Sequence, residues 1–472
     1  MNAVQRRSRL AREMTGMKIS KTIAAFAAGI IMLSAAAAPV TVQTGLSAYA
    51  ISTEQSDELG EELTDGVFTY ELAGGSYTII STDPTAIVSE IPEMRNGYAV
   101  TAIAERGLAG CSMISSLTVP DTVTSIGAMA FAGCTSLKSI ALPSRIQEIP
   151  EGAFLGCSML EDIEIPDKVT SIGDNAFYGC AALREIRLPS ELSMLGEMVF
   201  AESMNLETID ASATDRFVFS DNILYNKEKT KIYRGSTALT GDLYIDDTVT
   251  DIGGGAFSLC EKIENVFLPS SVQHIGDDAF GYCGGLKSVH FAEGLTTINY
   301  VAFKSCVSLV SVDLPQTLTE IEPGAFYNCR SLERVQLPDS LQTIGEGAFL
   351  CCDSLKRVIV PAGTSSIGEN AFGYTEDSEG TAVKEEDFEL SVYSGSEGLS
   401  YAKKNGLEYV VADRSLGKVL FIALGAGLVI IAAAAAFVLM RKGKKSPERA
   451  VKQADKESAE RAEEESYKGI IE

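Results

Sequence analysis

The sequence DTVTSIGAMAFAGCTSLKSIALP, residues 121–143, recurs in recognisable copies along most of the chain. Within each of two blocks, the copies follow one another every 23 residues. One column of the repeat is cysteine, at Cys111, Cys134, Cys157, Cys180, Cys260, Cys283, Cys306, Cys329 and Cys352. A second column is phenylalanine, at Phe131, Phe154, Phe177, Phe200, Phe257, Phe280, Phe303, Phe326, Phe349 and Phe372. A fixed period of this size is typical of a solenoid, in which each repeat forms one coil that stacks on the next.

The apolar residues of one unit can be assigned to a strand and a turn. Ile140 and Leu142 alternate as in a short strand, which Pro143 ends because proline cannot donate to a ladder. The steps of three that follow Phe154 and Cys157 fit a single helical turn. One unit cannot bury these residues alone. The sequence therefore predicts a core of isoleucine, leucine, phenylalanine, alanine and cysteine that stacked coils share.

The consensus I-G-x-x-A-F-x-x-C-x-x-L-x-x-I-x-L-P resembles the BspA-like leucine-rich repeat family. In the quoted unit, the matching residues are Ile126, Gly127, Ala130, Phe131, Cys134, Leu137, Ile140, Leu142 and Pro143. The resemblance extends over residues 66–413 and implies an extracellular or cell-surface protein that acts in adhesion or as an interaction module. The resulting fold class is a mainly-β (α+β) leucine-rich repeat solenoid with 23-residue coils, capped at both ends, plus one C-terminal transmembrane helix.

The N-terminal residues have the pattern of a secretory signal peptide. Within residues 1–50, basic residues precede an apolar run over Thr22–Ala38, and Ala48 and Ala50 mark the cleavage site. An uncleaved N-terminal anchor is the alternative, and Met17 is a second possible start. Residues 51–65 are acidic and predict a flexible N-terminus of the mature chain.

The repeats divide the rest of the exterior part into three regions. Alternating runs on both sides of Gly74 and Gly75 predict a β-hairpin cap over residues 66–97. The solenoid follows over residues 98–372. Its rhythm breaks between Ser203 and Cys260, 57 residues apart, which predicts an irregular insert over residues 204–250 with a hairpin. A strand, a short helix and a last strand predict a C-terminal cap over residues 373–413.

Residues 419–440 contain no charged side chain and are long enough for one transmembrane helix. Arg441, Lys442, Lys444 and Lys445 follow directly, which favours a cytoplasmic location for the tail, residues 441–472. Together with a cleaved signal peptide, this pattern predicts a single-pass protein of the cell membrane. Its repeat domain would be extracellular and its C-terminus cytoplasmic.

The charge distribution narrows the choice of partner. The whole chain has a net charge of −25, and the segments before residue 51 and after residue 417 contribute +7, so residues 51–417 carry about −32. Nucleic-acid binders need basic grooves, so this excess excludes nucleic acid as an expected partner. We therefore expect a protein partner, and the negative charge favours a basic one. We expect no small-molecule substrate and no cofactor.

The sequence predicts no enzyme and no metal site. Its two histidines, His274 and His290, have no nucleophile matched to them by a known motif. Buried thiols or some disulfide pairing could both explain the cysteine column, whereas the Cys-x2-Cys spacing of a zinc site is absent. The acidic loop over residues 376–387 could hold calcium, but it lacks the fixed alternation of a calcium loop, and a solvated linker is the favoured interpretation.

The solvent-facing positions of the Ile-x-Leu strand are the candidates for partner binding, since solenoids present extended surfaces of this kind. Among them, Phe267, His290 and Ile359 stand out, because exposed apolar and aromatic residues indicate contact more strongly than charges do. The alternative is that they are scattered surface residues. The full candidate set is Arg187, Phe267, His290, Asp313, Gln336 and Ile359.

Two functions follow. The first is a membrane-anchored extracellular leucine-rich repeat protein that acts as a non-catalytic protein-binding and cell-surface adhesion module. The second is an envelope-facing scaffold or receptor that holds a partner near its own membrane. Only a few residues separate Asp413 from the predicted membrane helix, and this short stalk favours the second function beneath a thick cell wall.

Overall fold

The coil is the structural unit of residues 63–412, the part of the chain that the computed structural model describes. The predicted signal peptide with Ala48 and Ala50, the predicted transmembrane helix over residues 419–440 and the tail lie outside these residues. Most of the acidic segment 51–65 lies outside them as well. Within residues 63–412, no helix combines the length and the apolar character needed to cross a membrane.

The Ile-x-Leu motif forms the first strand of each coil, and within each block these strands stack in parallel with the same apolar position aligned. Ile140 lies opposite Leu117 on one side and Ile163 on the other, and all three are buried. The members of this first-strand column are β6 (Ser116–Thr118), β8 (Ser139–Ala141), β10 (Asp162–Ile163), β12 (Glu185–Arg187), β14 (Thr208–Asp210), β18 (Gly241–Tyr244), β20 (Ile263–Leu268), β22 (Ser288–Phe291), β24 (Ser311–Asp313), β26 (Arg334–Gln336) and β28 (Arg357–Ile359).

A second, shorter strand precedes the Ala-Phe-x-x-Cys segment of each coil and stacks in the same way. Its isoleucines point into the core, as Ile298 and Ile321 do on neighbouring coils. The members of this second-strand column are β7 (Ser125–Ile126), β9 (Glu148–Ile149), β11 (Ser171–Ile172), β13 (Met194–Leu195), β19 (Asp251–Ile252), β21 (His274–Ile275), β23 (Thr297–Ile298), β25 (Glu320–Ile321), β27 (Thr343–Ile344) and β29 (Ser366–Ile367).

The Ala-Phe-x-x-Cys segment closes each coil as a tight turn with hydrogen bonds three residues apart, as the spacing predicts. Within one such turn, the Cys134 N–H donates to the Phe131 carbonyl at 3.2 Å. Between coils, the Phe280 N–H donates to the Ala302 carbonyl at 2.8 Å. The repeat glycine permits this close stacking. A Cβ added to Gly276 would lie 2.4 Å from the Gly254 nitrogen, inside the backbone of the neighbouring coil.

The phenylalanine column is a stack of nearly parallel buried rings in each block. Centroids are 5.0–5.4 Å apart from Phe257 to Phe372, with interplanar angles of 1–12°. The described residues contain two hydrophobic cores, and strand β16 (Ile223–Asn226) separates them. Leu224 packs into the first core, whereas Ile223 and Tyr225 pack into the second. Opposite faces of one strand therefore belong to different blocks.

The cysteine column is a ladder of thiol hydrogen bonds. All ten cysteines are free and buried. The Cys306 Sγ donates to the Phe280 carbonyl of the preceding coil at 3.2 Å, and the Cys157 Sγ donates to Phe131 at 3.1 Å. Ser203 replaces cysteine in one coil and donates its Oγ to the equivalent carbonyl, that of Phe177, at 2.9 Å. Cysteine thus fills the core and satisfies a backbone acceptor at once.

These thiols are expected to resist alkylation while the protein is folded. Burial raises the pKa of Cys134 to about 12 and that of Cys260 to about 11, so neither forms a thiolate near neutral pH. We expect iodoacetamide at about pH 8 to leave both unmodified in the native protein and to modify both in urea. Mass spectrometry of tryptic peptides measures the difference. Equal labelling in the two conditions would show that these thiols are not buried and protonated in the native protein.

The N-terminal end of the stack is closed by a small mixed sheet. The runs on either side of Gly74 and Gly75 pair as antiparallel strands, and both glycines have positive φ, at 59° and 82°. Tyr70 and Tyr77 of these strands are fully buried and meet edge to face at 5.6 Å. The strands are β1 (Leu63–Thr64), β2 (Phe68–Ala73), β3 (Ser76–Thr82), β4 (Met94–Arg95) and β5 (Tyr98–Ile103).

The C-terminal end is closed by helix α1 (Glu397–Asn405). Ser396 caps its first turn and Gly406, at φ 61°, ends it. The Tyr401 ring covers Phe372, the last ring of the stack, edge-on at 6.4 Å. The acidic loop contains a short hairpin that the sequence did not predict. The strands of this end are β30 (Tyr374–Glu376), β31 (Ala382–Lys384), β32 (Glu389–Tyr393) and β33 (Glu408–Ala412).

The insert between the blocks is a three-stranded antiparallel meander of β15 (Phe217–Ser220), β16 and β17 (Lys231–Gly235). The first two strands form the predicted hairpin, and β17 then joins β19 in parallel. The Ala-Phe-x-x-Cys turns on the two sides of the insert contact each other directly. The Glu202 N–H donates to the Ser258 Oγ at 3.2 Å, although the two residues are 56 positions apart.

Arg234, only 1% exposed, fills the space between the turns of the two blocks. Its guanidinium donates to the carbonyls of Gly255 at 2.9 Å, Ser258 at 3.0 Å and Ser203 at 3.5 Å. One planar fork therefore joins the last turn of the first block to the first turn of the second.

Candidate partner-binding face

Three aromatic side chains stack on the solvent face of β18, β20 and β22. Alternate residues of a strand point to opposite faces, so Leu243, Val266 and Val289 enter the core while their neighbours Tyr244, Phe267 and His290 point outward. The rings are separated by 4.5 Å at both steps, with interplanar angles of 5° and 7°. We call Tyr244, Phe267 and His290 the aromatic stack. Tyr244, at its end, is 67% exposed.

A row of polar side chains runs beside the aromatic stack and holds its last ring. Asn265 donates its Nδ2 to Asp242 Oδ1 at 2.7 Å, and the Ser288 Oγ donates to Asn265 Oδ1 at 2.7 Å. The same Ser288 hydroxyl lies 3.1 Å from Nε2 of His290. The stack is therefore a preorganised surface rather than three independent side chains.

The charges around the aromatic stack are mostly negative. Asp242 lies in the polar row, and Asp313 lies opposite His290 on the next strand. Lys287, directly before β22, forms an ion pair with Glu264 at 2.7 Å. Aromatic rings attract cations, and carboxylates beside them add to this attraction. The face therefore suits lysine and arginine side chains of a partner.

Comparison with known families identifies the repeat. Residues 101–231 and 244–379 match the family model described as a BspA type leucine rich repeat region, in six copies. These segments make up more than half of the chain. The chain belongs to the BspA-type leucine-rich repeat family. The resemblance and the mainly-β solenoid are thus confirmed, and the gap in the match, residues 232–243, falls in the insert.

Solved structures resemble this BspA-type protein over most of their length. A leucine-rich repeat protein from Eubacterium ventriosum is 27% identical with a TM-score of 0.51, covering 65% of this chain and 92% of that one. The pneumococcal vaccine antigen PcpA is 17% identical with a TM-score of 0.54, covering 76% and 100%. A leucine rich cell surface protein from Faecalibacterium prausnitzii is 28% identical with a TM-score of 0.48, covering 67% and 96%. No curated protein matches the chain.

BspA-type proteins are non-enzymatic repeat proteins, in agreement with the prediction that this chain is not an enzyme. Among residues 63–412, no three His, Cys, Asp or Glu side chains are grouped to hold a metal ion. In the acidic loop, Oδ1 of Asp377 accepts the N–H groups of Glu379 and Thr381, each at 2.9 Å. That carboxylate stabilises the turn between β30 and β31.

The BspA-type repeat brings four of the six sequence-predicted binding residues together. Phe267, His290, Asp313 and Gln336 lie directly opposite one another on four consecutive strands. Ile359 lies on β28, which belongs to a different sheet and pairs with β32. Whether any of the six contacts a partner stays a prediction.

Arg187 lies on β12 in the first block, apart from the other five candidates. It pairs in register with Asp210 and forms an ion pair with Asp167 at 3.5 Å. This arginine therefore already has a structural partner.

Sequence reasoning missed Tyr244. The signal was present, because Leu243-Tyr244-Ile245 precedes Val266-Phe267-Leu268 by one period of 23 residues. Asp246 stands where the repeat has Pro269, and the irregular insert hid the alignment. Tyr244 extends the predicted pair of Phe267 and His290 to a stack of three rings.

Proposed function

We propose that this BspA-type protein is a membrane-anchored, extracellular, non-catalytic protein-binding module whose contact surface is the aromatic stack with Asp313 and Gln336. The observation that carries the proposal is the exposed stack itself. Isolated exposed apolar residues are common on protein surfaces, whereas a contiguous ordered patch indicates an interaction site. The surrounding acidic side chains support a partner that presents lysine or arginine.

The location rests on the sequence. The signal-peptide pattern of residues 1–50 supports export, with cleavage after Ala50, and the uncharged residues 419–440 support one membrane span. The basic residues from Arg441 onward support a cytoplasmic tail. In this proposal the protein is a single-pass protein of the cell membrane with its repeats outside.

Replacing Tyr244, Phe267 and His290 together with serine is expected to weaken partner binding at least about tenfold, because ordered aromatic side chains dominate interface energies. Peptides of about twelve residues, selected from a random library on the wild-type protein, serve as the probe. The matched control replaces Thr118, Ala141 and Glu164, the equivalent outward residues of the first block, with serine. Equal affinities of the two triple variants for the selected peptides would refute the proposal.

Adhesion and envelope scaffolding differ in where the repeats are accessible. The few residues between Asp413 and the membrane span favour a position beneath the wall, and hence the scaffold. Protease treatment of intact cells, with a cytoplasmic protein as control, separates the two. Removal of the repeats from intact cells supports adhesion, whereas cleavage that requires prior wall digestion supports the scaffold.

A further inference from the structure

The first-strand column is interrupted at the insert, and the interruption leaves an open strand edge. Within residues 63–412, β14 has a hydrogen-bonded strand neighbour only in β12, and β18 begins the next sheet. The carbonyls of Leu206 and Glu207, directly before β14, already accept hydrogen bonds from Thr237 and Ser236 of the insert, so the unpaired edge is that of β14 itself. Strand β15, the first strand of the insert, is also an edge strand. Each internal strand of a parallel sheet uses backbone groups on both sides, so an edge strand presents donors and acceptors on its unpaired side.

An open cleft with a volume of about 540 Å³ lies where β14 and β15 meet. Ile209, Phe217, Val218 and Phe219 supply its apolar surface. Hydroxyl and carboxylate groups supply the polar part, and none of the lining residues is basic. We call this the junction cleft; it is lined by Glu185, Thr208, Ile209, Asp210, Ala211, Ser212, Thr214, Phe217, Val218 and Phe219.

Two carboxylates on neighbouring strands give the cleft its charge. Glu185 and Thr208 are opposite each other in register, as are Arg187 and Asp210, so Glu185 and Asp210 are diagonal neighbours on the outward face. Hydrogen bonds from Ser212 hold the pKa of Asp210 below its usual value, so this carboxylate is charged at neutral pH. Arg187 forms an ion pair with Asp167 at 3.5 Å, and its charge also contributes to the lowered pKa of Asp210.

We propose that the junction cleft binds an extended basic segment of a partner protein, which pairs as an added strand with the open edge of β14 and directs a lysine or arginine side chain toward Glu185 and Asp210. Main-chain hydrogen bonds supply affinity in this mode of recognition, and side chains of alternate residues supply specificity. The apolar surface accommodates the aliphatic stem of the basic side chain while the carboxylates bind its charged end.

The occupant follows from charge complementarity. The cleft has carboxylates and no cation among its lining residues, and residues 51–417 carry about −32, so acidic segments and nucleic acid are repelled. This site is separate from the aromatic stack, because none of the three stacked rings lines the cleft. The inference therefore goes beyond the proposed function and can fail independently of it.

The test uses a fluorescein-labelled peptide of about eight residues that alternates arginine and threonine, with fluorescence anisotropy at about 0.15 M salt. Two further peptides carry N-methyl groups on the backbone. One is methylated at the backbone nitrogen of every arginine, and the other at the backbone nitrogen of every threonine. Alternate residues of a strand direct their N–H groups to opposite edges, so we expect one methylated peptide to lose at least about tenfold in affinity and the other to bind like the parent.

The protein variants locate the site. Glu185→Gln with Asp210→Asn keeps the shape of the cleft and the acceptor for Ser212, and is expected to weaken the parent peptide at least about tenfold. The triple serine variant of the aromatic stack is expected to bind it like wild type. Equal binding by both methylated peptides would overturn strand addition. Loss of binding in the aromatic-stack variant, with the cleft variant unaffected, would overturn the inference and leave the proposed function in place.

Discussion

Replacing Phe303 with alanine is expected to lower the free energy of unfolding by about 3–5 kcal/mol. Phe303 is fully buried and stacks between Phe280 at 5.2 Å and Phe326 at 5.4 Å, while Phe291 meets it edge-on at 5.9 Å. The neighbouring coils are fixed by backbone hydrogen bonds on both sides, so they cannot collapse into the cavity. Urea denaturation followed by circular dichroism measures the loss.

Phe267→Ala is the matched control for this prediction. Phe267 also stacks between two rings, Tyr244 and His290, but it lies on the solvent face and is only half-buried. We expect its replacement to cost about 1 kcal/mol, which corresponds to lost ring contacts without a closed cavity. Similar losses for the two variants would show that the stack in the core contributes no more than the stack on the surface.

Arg234→Ala is expected to destabilise the protein by at least about 3 kcal/mol, because hydrogen bonds to charged groups contribute more than neutral ones. Truncation removes the donor for the carbonyls of Ser203, Gly255 and Ser258 and leaves a cavity between the two cores. Because this contact joins the blocks, we also expect unfolding of the variant to be less cooperative than that of the wild type, with a broader transition or two separate ones. Urea titration monitored by near- and far-ultraviolet circular dichroism tests both effects.

Arg216→Ala is the control for Arg234, since Arg216 belongs to the same insert but its guanidinium is exposed and forms an ion pair with Asp215 at 3.7 Å. We expect its effect to stay within about 0.5 kcal/mol. Arg234→Lys keeps the charge but not the planar fork, and should recover only part of the stability. Full recovery by lysine would show that charge, and not the geometry of the three hydrogen bonds, makes Arg234 important.

The regular coils could be predicted because each one faces the same physical problem. A unit with one apolar strand position, one phenylalanine and one cysteine can bury them only against copies of itself, so the 23-residue period reports the stacking directly. The outward position beside each buried residue then follows from strand alternation, which is why Phe267 and His290 could be named.

The insert could not be predicted in the same way, because its contacts are not periodic. In the sequence, Arg234 between Tyr233 and Gly235 resembles any surface arginine. It is buried because the insert replaces the regular turn of one coil and leaves space for the side chain. The junction cleft depends on where β14 loses its neighbour, which is a property of strand pairing and not of composition. Tyr244 lies between these two situations. It is 23 residues before Phe267, as the period requires, but it directly follows the insert, where the repeat is difficult to recognise.

The regular spacing of contacts between coils has a consequence for how such chains change length. The thiol of Cys306 reaches a carbonyl 26 residues earlier, and so does the thiol of Cys329. Unequal recombination that removes residues 299–321 would bring Cys329 to the sequence distance from Phe280 that Cys306 has now. The second block can therefore lose or gain whole coils without new side chains evolving to fit. The insert, whose partners occur once, is the part of the molecule that such recombination must leave intact.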